Sequence, residues 1–252
     1  MGPIAEPMLQ VAVNGARQDT EYVRIPRTPV ELAEAAGTSV ATGARVVHLH
    51  AYDSSGRESL EAEPCAAALR AVRARCPGIP VSLSTSAEIE PDPRRRHELI
   101  TTWSVLPELV TANQGEAGIV KLCEALIARG VGIEAGLLSV SDAEMFVGSG
   151  LAGRCARVLI EPLDSDPAAA VAHARRMEEL LARSGIRLEQ VHHGDGVASW
   201  AVNENALEHG HGIRTGLEDT TVLPNGQPAP DNAALVRIAA KMIQRMAVRR
   251  AP

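Results

Sequence analysis

Residues 44–53 read Ala44-Arg45-Val46-Val47-His48-Leu49-His50-Ala51-Tyr52-Asp53, a valine-rich run that ends in two histidines. The β-branched residues predict a buried strand over residues 46–50. Because side chains on a strand alternate between two faces, His48 and His50 point the same way. Two imidazoles on one face form half of a metal site, and neutral histidine suits zinc. The pair alone is equally compatible with two hydrogen-bonded structural histidines.

Short apolar runs alternate with longer amphipathic runs on both sides of this stretch. They predict strands at residues 9–13, 46–50, 80–85, 109–112, 133–138, 157–160, 190–193 and 213–217. Helices are predicted after Pro29 and at residues 60–75, 119–129, 167–183 and 232–246, and Arg94-Arg95-Arg96 is interpreted as a solvated helix start. About eight such units in 252 residues predict an α/β fold, a closed (β/α)8 TIM barrel. The rival open sheet lacks a Gly-x-Gly-x-x-Gly motif after its first strand.

Composition narrows the class of protein. The chain is 45% hydrophobic and shows no Ser/Gly-rich linker, so we expect a single (β/α)8 barrel domain over residues 1–252. Only 2% of residues are aromatic and the net charge is −6, which argues against a nucleic-acid partner. The four cysteines are widely spaced, and neither a signal peptide nor a membrane-spanning run is evident. A cytoplasmic protein without a membrane partner is therefore expected.

Polar residues cluster where the predicted strands end, which is where TIM barrels carry their chemistry. An apolar barrel core tolerates so many ionisable groups only if they are paired or bind a metal, so we interpret the ring as an active site. Its members are Asn14, Arg17, His48, His50, Asp53, Ser82, Ser84, Thr85, Thr111, Asn113, Glu134, Glu161, His192, His193, Asp195, Arg214, Glu218 and Asp219.

The eighth strand carries the acids that this site needs. In Arg214-Thr215-Gly216-Leu217-Glu218-Asp219, Arg214 and Glu218 share one face and Asp219 follows. A glutamate near the histidine pair would complete a set of two imidazoles and one carboxylate, with open positions for substrate oxygens. We expect Asp219 to lie at the rim of the barrel, where an arginine beside it could keep that carboxylate ionised as a general base, provided that the chain turns after Glu218.

These residues resemble the family of β-keto acid cleavage enzymes, which includes the 3-keto-5-aminohexanoate cleavage enzyme. The resemblance spans nearly the whole chain. It is carried by Val13-Asn14-Gly15-Ala16-Arg17, Thr28-Pro29-Val30-Glu31-Leu32-Ala33, Gly43-Ala44-Arg45-Val46-Val47-His48-Leu49-His50, Asp53, Gly56-Arg57, Ser84-Thr85, Pro107-Glu108-Leu109-Val110-Thr111-Ala112-Asn113 and Arg214-Thr215-Gly216-Leu217-Glu218-Asp219.

The resemblance implies a (β/α)8 barrel that binds one divalent metal, typically Zn²⁺, and forms a homo-oligomer (a dimer or tetramer). By resemblance the metal ligands are His48, His50 and Glu218, and Asp219 is the base, oriented by Arg214. Ser84 and Thr111 match substrate-contacting positions. The family's reaction takes a β-keto acid and acetyl-CoA to acetoacetate and a new CoA thioester.

Three departures from the family pattern bear on the substrate. The family's Ser-Thr-Gly-Gly, whose backbone amides bind the keto-acid carboxylate, reads Ser84-Thr85-Ser86-Ala87 here. Arg17 stands where the 3-keto-5-aminohexanoate cleavage enzyme has an acid that meets the substrate amine. We therefore expect Arg17 to bind an anionic substrate tail, and pairing of Arg17 with a loop acid is the alternative. Asn113 is a further expected substrate-binding residue. The loop His193-Gly194-Asp195-Gly196 lacks the family's usual arginine.

Two other functions stay open. Another divalent-metal barrel enzyme, a C–C lyase, aldolase or hydrolase without a CoA substrate, would use the same metal ligands. An amidohydrolase-type enzyme needs histidines on strands five and six, where this chain offers Glu134 and Glu161. A catalytically inactive barrel that serves as a binding subunit would leave the Arg214, Glu218 and Asp219 cluster unexplained.

Overall fold

The computed structural model describes residues 6–20 and 23–250. These residues form a closed barrel of parallel strands in chain order, which confirms the predicted (β/α)8 fold. The strands are β1 Leu9–Ala12, β2 Val46–Leu49, β3 Val81–Ser84, β4 Leu109–Asn113, β5 Gly132–Leu137, β6 Arg157–Ile160, β7 Gln190–His192 and β8 Gly212–Thr215. The α-helices are α1 Pro29–Ala41, α2 Ala62–Arg75, α3 Pro93–Thr101, α4 Ile119–Ala128, α5 Val140–Ser149, α6 Pro167–Arg183, α7 Ser199–His209 and α8 Asn232–Arg250.

Helix α6 shows how local sequence sets these elements. The Asp166 side chain caps its first turn by accepting from Ala169 N at 2.8 Å, and Pro167 occupies the first position, where no N–H is needed. The helix buries one face through Ala170, Ala174, Met177 and Leu181. The two larger side chains contribute roughly 1.5–3 kcal/mol each by leaving water. Glu178 follows the buried Met177 and is thereby held beside the neighbouring helix α7.

Helices α5 and α7 were missed by the sequence analysis, and α3 was recognised only at its start. Helix α7 buries Ser199, Asn203 and Asn205 together with apolar residues, so its buried face carries no continuous apolar pattern. Helix α5 is only 10 residues long and contains Gly148. A rule of one helix after each strand of such a barrel would have predicted these helices, whereas periodicity did not.

Closure of the barrel brings distant strands together. Strand β1 pairs with β2 on one side and with β8 on the other, so Gln10 lies beside both Val46 and Arg214. The Gln10 amide also donates across the interior to Glu134 on β5, at 3.1 and 3.2 Å. The interior of the barrel therefore contains paired polar side chains, while the main apolar cluster lies between the strands and the surrounding helices.

The described residues form one barrel, and the extent of the domain over residues 1–252 stays a prediction because residues 1–5, 21–22 and 251–252 lie outside them. Within the described part of the chain, the helices are all too short or too polar to cross a membrane.

Candidate metal centre and active site

Two histidines and a glutamate meet at the carboxyl-terminal mouth of the barrel. His48 lies in β2 and His50 directly follows it, while Glu218 lies in a turn that begins at Gly216, just after β8. Nε2 of His48 lies 3.5 Å from one oxygen of Glu218, and Nε2 of His50 lies 3.6 Å from the other. The candidate ligand atoms of the three side chains all lie within 4.8 Å of one another. Two imidazoles and one carboxylate in this arrangement can hold a divalent metal.

Each imidazole is oriented through its second nitrogen. Nδ1 of His48 lies 3.2 Å from both the Ser82 and the Thr111 hydroxyls, and Nδ1 of His50 contacts the Glu58 carboxylate. Metal-binding histidines typically make such a hydrogen bond, because it fixes the ring and leaves the other nitrogen for the metal. Both rings therefore direct Nε2 toward Glu218.

The three side chains differ in charge before a metal binds. Burial lowers the pKa of His48 to about 3, so this ring is neutral at neutral pH. Burial alone would lower the pKa of His50, but the Glu218 and Glu58 carboxylates raise it to about 9. Burial opposes ionisation of Glu218, yet Arg214 and the two histidines hold its pKa well below the ordinary value.

The donor set passes a further test of fit to a metal. Oε2 of Glu218 is buried and makes no hydrogen bond within the described residues, which is costly for an ionised oxygen. That oxygen lies 3.5 Å from the nitrogen of the neutral His48. A divalent cation among the three side chains would satisfy both atoms. The residues present therefore fit a zinc-type ion.

A buried carboxylate supports this centre from inside the barrel. Glu134 is fully buried; it accepts from the Ser82 hydroxyl and lies 3.4 Å from the Thr111 hydroxyl and 3.5 Å from the Arg157 guanidinium. Because both hydroxyls also contact His48, Glu134 acts on that histidine through them. Such a buried polar network is stabilising only when its members stay paired.

A second charged group lies beside the triad. The Arg214 guanidinium, buried in the barrel, donates to Asp219 at 2.7 Å and to Glu218 at 3.0 Å. On its other side, the Asp219 carboxylate lies 3.4 Å from Nδ1 of His193, whose Nε2 lies 3.5 Å from Glu161. The turn after β8 thus places the Asp219 carboxylate beside Arg214. Glu218 and Asp219 can therefore both contact Arg214 in one site.

Asp219 does not lie at the rim, the position predicted from the sequence, because its side chain is only 1% exposed. Burial opposes ionisation of Asp219, but Arg214 and His193 lower its pKa below the ordinary value. Its second oxygen, Oδ2, makes no hydrogen bond within the described residues. Glu161 does line the cavity, and burial raises the pKa of its carboxyl. Two carboxyls with opposite pKa shifts therefore flank Arg214.

A cavity of about 550 Å³ opens above these residues. All four residues proposed to contact substrate line it, namely Arg17, Ser84, Thr111 and Asn113. Its wall also includes the acids Glu88, Glu116, Asp142, Glu161, Asp195 and Glu218. Acids thus outnumber arginines among the lining residues.

Arg17 is already engaged within the chain. Its guanidinium forms an ion pair with Asp195 and donates to the backbone oxygens of Glu218, at 2.6 Å, and Asp219, at 2.9 Å. These contacts hold the turn after β8 in place. Arg17 therefore pairs with a loop acid, which was the alternative considered from the sequence. Binding of an anionic substrate tail by Arg17 stays a prediction.

The backbone amides after β3 are also engaged. The amide of Ser86 donates to the Ser84 hydroxyl at 3.3 Å, and that of Ala87 donates to the Glu116 carboxylate at 2.9 Å. Asn113 donates to the same Glu116 oxygen at 3.1 Å. A substrate carboxylate that used the Ala87 amide would have to displace Glu116.

Glu58 and Glu116 were missed by the sequence analysis. Glu58 returns to His50 because residues 52–58 form a short hairpin, in which Tyr52 and Glu58 pair. Asp53 shapes its turn by accepting from Ser55, which lowers the pKa of Asp53 to about 2, and it does not line the cavity. The Asp-x-x-Gly spacing from Asp53 is a turn signal that could have predicted the return of the chain.

Gly15 leaves the space in which Glu218 lies. Its φ is +65°, and an added Cβ would lie 2.4 Å from Cγ of Glu218. We expect Gly15→Ala to displace this ligand and weaken metal affinity by about 10- to 100-fold, as displaced support of a ligand does. Competition with a chromophoric chelator measures the affinity.

Gly78→Ala is the matched control, because Gly78 has a φ of +81° and open space around its Cα. It incurs the left-handed backbone cost of about 1–2 kcal/mol without touching the centre. Equal metal affinity in Gly15→Ala and Gly78→Ala would contradict the role given to Gly15.

Comparison with known proteins identifies a matching family and similar folds. A family model described as beta-keto acid cleavage enzyme matches residues 7–189 and 164–251. The structure is similar to ObcA in a ternary complex with a C4-CoA adduct and oxalate, at 18% identity over 88% of this chain and 64% of that one, with a TM-score of 0.73. It is also similar to ObcA in a binary complex with oxaloacetate, at 19% identity over 86% of this chain and 63% of that one, with a TM-score of 0.67.

A third similar structure is 3-dehydroquinate dehydratase from Geobacillus kaustophilus HTA426, at 12% identity over 98% of this chain and 93% of that one, with a TM-score of 0.65. At such identities these likenesses show the fold alone. The chain spans less than two thirds of the length of the ObcA chains. The family model, in contrast, matches nearly the whole sequence, and the chain belongs to the beta-keto acid cleavage enzyme family.

Proposed function

We propose that this protein is a metal-dependent β-keto acid cleavage enzyme that uses acetyl-CoA. The single observation that carries the proposal is the His48, His50 and Glu218 triad beside the Arg214–Asp219 pair, at the mouth of a barrel of this family. In the proposed reaction, R–CO–CH₂–COO⁻ and CH₃–CO–S–CoA give CH₃–CO–CH₂–COO⁻, which is acetoacetate, and R–CO–S–CoA. Zn²⁺ is the proposed metal, and other divalent ions could replace it.

The triad would hold the metal, and a bound divalent ion would supply Lewis acidity toward the keto oxygen of the substrate. The His48 ring is already neutral before the metal binds, and the His50 ring must lose its proton before it can act as a ligand. Glu58, Ser82 and Thr111 hold the two rings so that Nε2 of each faces Glu218. These contacts position the ligands before a metal arrives, which lowers the cost of organising the site.

Asp219 is the proposed general base. Arg214 keeps it ionised, and its Oδ2, which makes no hydrogen bond in the described residues, is available for a proton. Because Asp219 is buried beneath the cavity, a substrate carbon must reach past Arg214 for direct transfer. Catalytic contacts often tighten only when substrate binds, so the position of Asp219 is compatible with this role.

The remaining lining residues would position the substrate. Ser84, Thr111 and Asn113 offer hydroxyl and amide groups toward the cavity. Arg17 offers Nη1, because its Nε and Nη2 are engaged with Asp195 and with the backbone of the turn after β8. The ligands of the similar ObcA structures, oxaloacetate and a C4-CoA adduct, support a keto acid and a CoA thioester as the two ligand classes.

A second candidate function is a divalent-metal C–C lyase or aldolase without a CoA substrate. The observation that favours it is that the Ala87 amide donates to Glu116. The family resemblance implies free backbone amides for the keto-acid carboxylate in this loop. The same metal triad would serve a cleavage that needs only one substrate. The two candidates differ in whether acetyl-CoA is consumed.

The test is a panel of β-keto acids incubated with zinc-loaded protein, with and without acetyl-CoA, and analysed by mass spectrometry. We expect acetoacetate and the matching acyl-CoA to form in equal amounts, and only when acetyl-CoA is present. Cleavage that proceeds equally without acetyl-CoA would reject the first function in favour of the second. Homo-oligomerisation, a cytoplasmic location and the absence of a nucleic-acid partner stay predictions.

A further inference from the structure

A second group of possible ligands lies at the other end of β8. Glu178 is on α6, His209 is the last residue of α7, and His211 directly precedes β8. One oxygen of Glu178 lies 2.7 Å from Nδ1 of His209, and the other lies 2.9 Å from Nε2 of His211. Their candidate ligand atoms all lie within 4.8 Å of one another, as in the first triad. We call these three residues the α6–α7 cluster.

The end of α7 brings the two histidines to the same carboxylate. Gly210 has a φ of +89°, and its amide donates to Leu207 O at 3.1 Å, while the amide of His211 donates to Ala206 O at 2.9 Å. These bonds form a Schellman motif, in which the chain reverses through a left-handed residue. Residues 209 and 211 can therefore both face Glu178, and the backbone holds them there.

The ring of His211 is also held in place by a stacked ring on its other side. It stacks on the ring of His192 with centroids 4.7 Å apart and planes 18° apart. His192 is fully buried, and its Nε2 lies 3.1 Å from the Gln190 amide oxygen. The stacking contact restricts the His211 ring to the orientation in which its Nε2 contacts Glu178.

The charges at the cluster are compatible with a bound cation. Burial would raise the pKa of Glu178, but hydrogen bonds with His211 and His209 lower it to about 2, so the carboxylate is ionised. The carboxyl end of α7 adds the negative end of a helix dipole. Arg250 lies nearby, but it is engaged with the backbone oxygens of Leu207 and Glu208, at 2.9 and 2.7 Å.

We propose that Glu178, His209 and His211 bind a divalent transition-metal ion of the zinc type, at a site separate from the proposed catalytic centre. Two imidazole nitrogens and a carboxylate are a donor set that zinc accepts, with water completing the coordination. The side chains are 34%, 21% and 20% exposed in the order His209, Glu178, His211, so an ion can enter from solvent. The site lies at the amino-terminal face of the barrel, where residues serve stability. Its role is to tie α6 to the turn between α7 and β8.

Zinc stoichiometry tests this site. The purified chain is stripped with a chelator, reloaded with Zn²⁺, desalted and analysed for zinc. We expect two ions per wild-type chain, one in His48→Ala/His50→Ala, one in His209→Ala/His211→Ala, and none in the fourfold variant. His173→Ala is the matched control, because His173, on the same helix as Glu178, pairs with Asp164 at 2.8 Å. Among the described residues it belongs to neither group of possible ligands. It should keep two ions.

Equal zinc content in the wild type and in His209→Ala/His211→Ala would overturn the second site, and the first site would be unaffected by that result. Glu178→Gln keeps the shape and the packing, so it repeats the test if the alanine variant unfolds. Zinc at about 100 times its dissociation constant should raise the melting temperature of His48→Ala/His50→Ala by about 5–10 °C. The same shift after Glu178→Gln is added would mean that Glu178 only bridges two imidazolium rings.

Discussion

Asp219→Asn is expected to lower turnover by about 100-fold or more while the protein keeps its metal and binds substrate, the usual loss when a general base is removed. Asparagine keeps the size of the side chain but cannot accept the substrate proton. The triad of His48, His50 and Glu218 stays complete. Steady-state kinetics on the zinc-loaded variant, with zinc content measured on the same sample, checks both parts.

Glu161→Gln is the matched comparison, because it makes the same isosteric change on the other carboxyl beside Arg214. Glu161 lines the cavity, and burial raises the pKa of its carboxyl, a shift that is typical of acids and bases in active sites. We expect a smaller loss of turnover than in Asp219→Asn. Near-normal turnover in Asp219→Asn together with a loss of 100-fold in Glu161→Gln would transfer the base role to Glu161.

His48→Ala/His50→Ala is expected to lose one metal ion per chain and all turnover above background. Removing both imidazoles leaves Glu218 as a single monodentate or bidentate ligand, which does not retain zinc through desalting. His97→Ala/His173→Ala removes the same number of histidines away from the centre and should keep both metal and turnover. Unchanged metal content in His48→Ala/His50→Ala, relative to this control, would place the ion elsewhere.

Proton release reports on the same ligands without an activity assay. Near pH 7.5 the pKa values, about 3 for His48 and about 9 for His50, mean that only His50 must lose a proton when the metal binds. About one proton should therefore be released per ion bound at this centre, and affinity should rise about tenfold per pH unit up to pH 9. The measurement is best made in His209→Ala/His211→Ala, which lacks the proposed second site. Release of no proton, or of two, would contradict these charge states.

Sequence reasoning recovered elements whose signals are local. The run at residues 157–160 and the alanine-rich run at residues 167–183 match β6 and α6 to the residue, because apolar periodicity and a Pro-initiated helix are both written in neighbouring residues. Helix α7 was missed because three of its buried residues are polar, so periodicity could not identify its face.

The residues of the candidate site also fall into those that local sequence predicts and those that depend on tertiary contacts. His48 and His50 share a strand face, so their partnership followed from alternation alone. Glu58 was missed because its contact with His50 depends on a hairpin closing. The rim position given to Asp219 was wrong, because the turn starts at Gly216 and draws the carboxylate inward onto Arg214.

The sequence by itself determined the alternation of strands and helices and the shared strand face of His48 and His50. It also contained the motif that indicates the family, Arg214-Thr215-Gly216-Leu217-Glu218-Asp219. Each of these features depends on short-range periodicity or on the order of residues in a motif. A closed barrel already implies that β8 lies against β1, but only the tertiary structure showed that Glu218 comes within 3.6 Å of both histidines. It also decided that Arg17 meets Asp195 and that Glu178 meets His209 and His211. The physical reason is that these contacts join residues far apart in the chain, and barrel closure and helix packing, not local sequence, set their distances.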